Sequence, residues 1–377
     1  MKILIVTGGF FPGVKCGGPP VSINNFCSLM EEHDCYIVAK NHDMGETEPY
    51  TGISEGWNDR GNCKVKYLSD AEYSRSSFAT VMDEIDPDML YLQSLFHGCT
   101  IPCLSLAKKR EIPVLLAPRG ELCPGAMRKK YKKVPYIVFL KVMRLIDRVS
   151  FQYTSQDELE GIRKYFGCEN NCFGLTNVPS QPSRGLSHGE KRVGTAKIVY
   201  LSRIVPKKNL MHAISSLRDV KGSITFDIFG PIEDEGYYRD CMEQCRTLPD
   251  TVTVKYRGAV GQGEAASYFS QYDCFLFPTL SENYGHVIAE SLSSGCPVLV
   301  SDQTPWDFEG YELAGSAISL TDQAAWRRAI QAIVDKDDVQ MREMRESAAA
   351  YFVKSACFAE LKRRYEDSLR AVLENGK

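Results

Sequence analysis

Short, almost wholly apolar runs of strand length recur down this chain, each followed by a segment of helical character, and the alternation happens twice. Lys2–Thr7, Cys35–Ala39, Met89–Gln93, Pro113–Ala117 and Val149–Tyr153 form the first set, with helical stretches at Val21–Met30, Ile101–Arg110 and Glu158–Tyr165. Strands with no polar face must be covered on both sides, which predicts a mostly parallel sheet between layers of helices. The polar stretch Ser180–Gly194, SQPSRGLSHGEKRVG, interrupts the pattern with the composition of a linker. The alternation then restarts: strands at Ile198–Leu201, Thr225–Phe229, Cys274–Phe277 and Pro297–Val300, helices at Leu210–Leu217 and Gly285–Ser294, and helical character from Asp322 almost to the end. The chain of 377 residues is long enough for two well-filled cores. The reading is two Rossmann-like α/β domains, 1–180 and 196–355, joined by a linker at 181–195 and followed by a C-terminal helix, 356–377, that packs back on the first domain. Ligands of such sheets sit beyond the carboxyl ends of the strands. Two sheets facing one another would enclose a deep cleft for a ligand.

Composition narrows the function. A formal net charge of −3 gives no overall attraction to nucleic acid. Fourteen cysteines are many, and three pairs sit four residues apart (Cys99/Cys103, Cys168/Cys172, Cys241/Cys245), but no two pairs combine at zinc-site spacing and the six histidines are dispersed. Reduced thiols filling small core volumes are expected, and no metal. The start, MKILIVTGGFFPG, lacks a signal peptide's apolar stretch, and no window reaches the length of a membrane span. A cytoplasmic protein is expected.

Candidate chemistry gathers at the strand ends. Glu282 follows the strand Cys274–Phe277 in a loop, Glu290 lies about two turns away, and the helix between them starts near Gly285, where free N–H groups suit phosphates or sugar oxygens. Arg203 and Lys208 follow Ile198–Leu201, where two cations could clamp a diphosphate as it leaves with growing charge. Gly8-Gly9 and Gly17-Gly18 allow close backbone approach to a phosphate without spelling the dinucleotide fingerprint. Arg119, Gly120 and Glu121 follow Pro113–Ala117 directly, a placement suited to shaping an acceptor site. His97 follows Met89–Gln93, and His286 stands between the two glutamates; each is a candidate base or ligand contact, or a plain surface residue. The basic run Arg128–Lys133, followed by the amphipathic stretch to Ile146, suits either an anionic membrane surface or an ordinary sheet-packing helix.

Taken together, the acid-x7-acid spacing of Glu282 and Glu290, the downstream Gly295-Cys296-Pro297, and Arg203 with Lys208 five residues on resemble the retaining glycosyltransferases of family 4, which have the GT-B fold. The stretch Leu116–Gly125 is similar to enzymes that build bacterial surface and capsular polysaccharides or lipopolysaccharide. The resemblance runs over nearly the whole chain. It implies transfer of a sugar from a nucleoside-diphosphate sugar, UDP- or GDP-linked, to a glycan or lipid-linked glycan, with no cofactor and no metal. It implies that Arg203 and Lys208 hold the diphosphate and that Glu282 contacts the donor sugar with the backbone of Asn283, Tyr284 and Gly285. Glu290 would then bind the ribose, Gly17 and Gly18 approach the phosphates, and Gly258 lie near the base. Many members carry a histidine at the end of the strand corresponding to Met89–Gln93; here that place falls to Gln93, with His97 four residues later. Gln93, His97, Arg119 and Glu121 are the candidate acceptor-side residues. A sugar-nucleotide epimerase, a phosphorylase, or a non-enzymatic sugar-binding module are the competing readings on the same architecture; no lysine sits in a convincing Schiff-base context for a phosphorylase's cofactor.

Overall fold

In the computed structural model, residues 1–167, 171–182, 186–261 and 264–376 are described, without the side chains of 128–130. Cys168, and the first three side chains of the basic run Arg128–Lys133, therefore lie outside the described residues. The chain divides into two units, one made of Met1–Val178 with Phe358–Lys377 and the other of Pro179–Cys357. Each is a parallel α/β sheet covered by helices, as the double alternation requires.

The first unit holds β1 (Lys2–Val6), β2 (Asp34–Lys40), β3 (Trp57–Asp59), β4 (Lys64–Leu68), β5 (Met89–Leu92), β6 (Val114–Leu116), β7 (Val149–Tyr153) and β8 (Cys172–Gly174). Their order is β3-β4-β2-β1-β5-β6-β7-β8, antiparallel only between β3 and β4. The runs read as apolar are the central strands: Ile3–Val6 and Met89–Leu92 are buried on both faces. α1 (Gly18–Leu29), α2 (Arg75–Ile85), α3 (Thr100–Arg110), α4 (Lys130–Val142) and α5 (Gln156–Phe166) cover them. α1 begins at Gly18 rather than Val21. Pro19 and Pro20 occupy its first turn, where a missing N–H costs nothing and the fixed φ already suits a helix. The chain builds β1, β2 and β4 to one side and β5 to β8 to the other, so the strand order reverses between β1 and β5.

The second unit holds β9 (Thr195–Leu201), β10 (Ser223–Phe229), β11 (Val252–Gly258), β12 (Cys274–Phe277), β13 (Val298–Ser301) and β14 (Gly315–Ile318), all parallel in the order β11-β10-β9-β12-β13-β14. α6 (Leu210–Ser216), α7 (Glu235–Cys245), α8 (Ala265–Phe269), α9 (His286–Ser293), α10 (Gln323–Val334) and α11 (Asp338–Ala356) complete it. Here the order reverses between β9 and β12. α12 (Phe358–Asn375) then belongs to the first unit, where Leu361, Tyr365, Leu369 and Val372 enter the core that also holds Phe26 and Tyr91. The Tyr365 hydroxyl donates to the Thr176 carbonyl at 2.9 Å.

Candidate functional site

The crevice outside the carboxyl ends of neighbouring strands at a reversal of strand order is where open α/β sheets take ligands. In the second unit that point is fed by the loop after β9, carrying Arg203 and Lys208, and the loop after β12, carrying Glu282. Seventy-four residues apart in sequence, Lys208 and Glu282 form an ion pair. Backbone bonds fix both loops to each other. Lys207 accepts at its carbonyl from Leu280 N at 2.9 Å and Thr279 Oγ1 at 3.2 Å, and Asn209 Nδ2 donates to the Pro278 carbonyl at 2.9 Å. Tyr200, buried in β9, donates from its hydroxyl to the Lys208 carbonyl at 3.1 Å. The Lys208 ammonium also lies 5.4 Å from the Phe277 ring centroid. Burial pushes the Lys208 ammonium below its ordinary value, and Glu282 opposes that shift.

Arg203 has its own carboxylate. Its Nη1 lies 3.1 Å from both oxygens of Glu233, on the loop after β10. The two loops meet closely: Ile204 N donates to the Pro231 carbonyl at 2.9 Å, and a Cβ at Gly230 would stand 1.9 Å from the Ser202 carbonyl oxygen. Gly230, at φ 131°, is therefore required where the loops meet. Its N–H donates to the Gly258 carbonyl at 2.8 Å, which ties the end of β11 to the same corner.

After Glu282, Gly285 turns the chain into α9 at φ 80°. A Cβ there would lie 2.8 Å from Ile288 Cδ1 and 3.2 Å from Glu282 Cγ, so a side chain would collide with the first turn of the helix it starts. The Tyr284 carbonyl accepts from Trp306 Nε1 at 2.6 Å, and the Tyr284 ring stands edge-on to His286 at 4.9 Å between centroids. Asn283 is exposed beside them. Glu290 stands one turn into α9, which starts at His286. Its half-buried carboxyl has no hydrogen-bond or ion-pair partner among the described residues, and burial pushes it up to about 7. An acid kept in such a place without a partner is a functional-site signal.

In the first unit the reversal lies between β1 and β5. Asp43 gathers the loop after β1, accepting from Val14 N at 2.7 Å and Met44 N at 2.9 Å, and so sets the approach to Gly17, at φ 69°, and Gly18. His97, after β5, lies on that loop: a Cβ at Gly8 would stand 2.4 Å from its Nε2. Burial lowers its proton affinity, with Lys40 adding to the effect. Gln93 is buried and accepts from Arg119 Nε at 2.9 Å; Arg119 also reaches Asn177 and, at 3.4 Å, Ser22 Oγ. Glu121 accepts from Leu95 N at 2.7 Å, Phe96 N at 3.2 Å and Ser94 Oγ at 2.8 Å. Burial raises its pKa against these bonds. Arg119 and Glu121 thus hold the loop ends of β5 and β6 in place, and His97 is left as the imidazole beside the glycine loop.

Sequence reasoning missed Glu233 and Gly230. The signal for the glycine was FGP at the end of a strand; Glu233 is found only through its contact with Arg203. Among the described residues no cluster of three or more His, Cys, Asp or Glu is arranged to hold a metal ion, and no helix is long and apolar enough to cross a membrane.

Residues 187–351, almost the whole of the second unit, match a family model described as glycosyl transferases group 1. The chain is 30% identical over 118 residues to the alpha-monoglucosyldiacylglycerol synthase of Streptococcus pneumoniae, a match that takes in 30% of this chain and 25% of that enzyme. In fold it is similar to HepE of Anabaena, solved with UDP and glucose (TM-score 0.66, 13% identity, 98% of this chain and 100% of that one). It is also similar to the trehalose-6-phosphate synthase OtsA (TM-score 0.68, 12% identity, 98% and 99%).

Proposed function

We propose that this chain is a retaining glycosyltransferase that moves a sugar from a nucleoside-diphosphate sugar to a glycan or lipid-linked glycan, without a metal ion. The observation that carries the reading is the corner at the second unit's strand reversal. Two cations, Arg203 and Lys208, stand there on the loop after β9, which is locked to the loop after β12, with Glu282 against one of them and Glu290, without a partner among the described residues, one turn into the next helix. The group 1 match over this unit supports it.

The roles follow from charge and reach. A diphosphate entering the corner takes the place that Glu233 and Glu282 now hold against the cations, and Arg203 and Lys208 then stabilise the charge that grows as the sugar–phosphate bond breaks. Two fixed cations supply what a divalent ion supplies elsewhere. Glu282, released from Lys208, orients the sugar hydroxyls together with the backbone of Asn283, Tyr284 and Gly285. Glu290 accepts hydrogen bonds from the ribose hydroxyls, contacts that favour its carboxylate form and offset the burial that otherwise protonates it. Gly17 and Gly18 offer backbone that a phosphate can approach closely, and Gly258, at the end of β11, is the contact for the base. The acceptor hydroxyl attacks from the face the diphosphate leaves, and the departing phosphate oxygen takes its proton, so the anomeric configuration is kept. UDP is favoured over GDP because HepE was solved with it. The setting is the inner face of the cytoplasmic membrane in the assembly of capsule, lipopolysaccharide or another surface polysaccharide, with peripheral lipid contact through residues 128–146.

The test is a panel of nucleotide sugars in a thermal-shift assay, followed by donor turnover with the best binder. One sugar nucleotide should raise the melting temperature by mass action and be consumed. No shift with any of them would remove the reading, and tight binding without turnover under any acceptor would make the chain a binding module.

A further inference from the structure

A cavity of about 570 Å³ opens within the second unit, at the other edge of the sheet from Arg203 and Glu282. The linker residues at its rim lead into β9, Asp273 beneath it immediately precedes β12, and Gly295 precedes β13, so it lies at the amino edge. Its volume is that of a small-molecule site, about 300–1,000 Å³. Three walls enclose it. The linker runs along one side, held where Arg345 Nη1 donates to the Gly189 carbonyl at 3.2 Å and Lys191 N donates to Asp338 Oδ1 at 3.1 Å. The end of α9 supplies Ser293 and Ser294. α11 presents Asp338, Arg342, Arg345 and Ala349, which helical spacing puts on one face.

Each wall holds polar atoms that the fold leaves over. His188 Nδ1 lies 3.0 Å from the Ser270 carbonyl, which can only accept, so the proton sits on Nδ1 and Nε2 keeps a lone pair. Burial, with Arg345 nearby, lowers the proton affinity of this imidazole and favours that neutral form. Arg345 is only 7% exposed; its Nη2 lies 3.1 Å from Asp273, while its Nε has no hydrogen-bond partner among the described residues. The Ser293 and Ser294 hydroxyls donate to the Glu290 carbonyl at 2.9 and 2.6 Å, which leaves their oxygens free to accept. Arg342 gives Nη2 to Asp338 at 2.7 Å and keeps its other N–H groups, and Glu346 beside it has no partner among the described residues. Charge says what these atoms can take. Two guanidiniums face three carboxylates, Glu190, Asp338 and Glu346, and Lys197, whose Nζ would stand 3.7 Å from a Cβ at Gly189, brings the balance to zero. Lys191 is spent on the Arg192, Thr195 and Val334 carbonyls. No cation is left over for a phosphate, no aromatic ring offers a base a face, and the apolar side chains of the lining are Leu186 and Ala349. A sugar hydroxyl both donates and accepts, so a saccharide satisfies such a mixture without bringing charge.

We propose that this cavity binds a neutral saccharide of about one or two rings, held by His188, Arg342, Glu346 and the Ser293 and Ser294 hydroxyls. The inference rests on the cavity and not on the transferase reading, whose donor corner lies at the carboxyl edge of the same sheet.

The experiment is saturation-transfer NMR of the full chain with glucose, galactose, mannose and N-acetylglucosamine and with disaccharides of each, without UDP and with UDP in excess. At least one saccharide should receive transfer, and the signal should survive UDP. Arg342→Ala/Glu346→Ala changes two exposed side chains and should weaken binding by about tenfold or more, through hydrogen bonds lost to the ligand. Ala349→Trp fills the cavity and should abolish the signal; melting curves check that each variant folds, and the double variant decides if the tryptophan does not. Lys208→Ala, at the donor corner, should leave the signal unchanged. No transfer to any saccharide, or equal binding by wild type and the double variant, would overturn the proposal. So would a signal lost with UDP or with Lys208→Ala, since the sugar would then sit at the donor corner, and so would displacement by inorganic phosphate, which would make the cavity an anion site. Titration of the wild type with UDP alone separates the two ideas: no nucleotide binding would count against the transferase reading and leave the cavity variants to decide the saccharide site.

Discussion

Replacing Glu290 by glutamine should make the free protein more stable and its nucleotide complex weaker, and the first effect can be sized from the site. Burial lifts the Glu290 carboxyl from 4.5 to about 7. Each tenfold in proton affinity is worth about 1.4 kcal/mol, so keeping this group ionised at about pH 8 costs the fold on the order of 3 kcal/mol. The sign follows from the raised value. The protonated form is the one the fold prefers, so the folded state is least disadvantaged below about pH 4.5, and stability falls as pH rises through about 7. Glutamine keeps the shape and never ionises. At about pH 8 it should return roughly 2–3 kcal/mol, a rise in melting temperature of about 4–10 °C for a unit of this size. At about pH 4 the two proteins should melt together. In exchange, UDP should bind about 10–100-fold more weakly, from the loss of a charged hydrogen bond to the ribose. Wild-type affinity should itself rise with pH through about 7. Melting curves across pH and calorimetric titration with UDP read both effects. A glutamine variant that is no more stable at high pH, or whose stability gain is the same at both pH values, would refute the account of Glu290 as an acid kept ionised for a ligand.

Three further outcomes follow from the same corner. Lys208→Ala should lower kcat/KM for the donor by about 10²–10³-fold with an unchanged circular dichroism spectrum, and a loss under about threefold would remove it from leaving-group stabilisation. Glu282→Gln should not weaken UDP binding, since it only frees Lys208 of its carboxylate, while cutting transfer to a measurable residue; no residual turnover, with a sugar adduct mapped to Glu282 in the wild type by mass spectrometry, would replace the front-face path by a covalent one. Glu233→Gln frees Arg203 of its carboxylate and should tighten UDP and inorganic pyrophosphate severalfold, both read by calorimetry; weaker binding of both would mean that Glu233 positions the guanidinium rather than competing for it.

The strands legible from sequence were those that are apolar on both faces. β1, β5 and β12 have no other place than the middle of a sheet. β11, Val252–Gly258, alternates exposed positions with buried or half-buried ones as an edge strand does, and β4, KVKYL, is similarly mixed, so neither showed as an apolar run. The loop positions of Arg203, Lys208 and Glu282 were also legible, because a charged residue just past a buried strand has only the carboxyl edge to occupy. Their partners were not. β9 and β12 are neighbours only in the folded sheet, and the Lys208–Glu282 and Arg203–Glu233 pairs exist through that adjacency. Arg119 and Glu121 looked equally well placed, yet their polar atoms are taken up by Gln93 and Asn177 and by the backbone of Leu95 and Phe96. Spacing locates a side chain; only the fold says whether its hydrogen bonds are already made. The basic stretch after Arg128 was left between membrane and core; in the structure Ile137 and Leu140 of α4 are buried while Val138 and Val142 stand exposed.

The central claim is transfer with retention at a corner built from cations rather than a metal, and proton NMR of the reaction tests it most directly. With the nucleotide sugar that binds best, and with EDTA present throughout, the first product formed should carry the donor's anomeric configuration, detected before any free sugar has mutarotated. An inverted product, or turnover that stops with EDTA and returns with a divalent cation, would contradict the account.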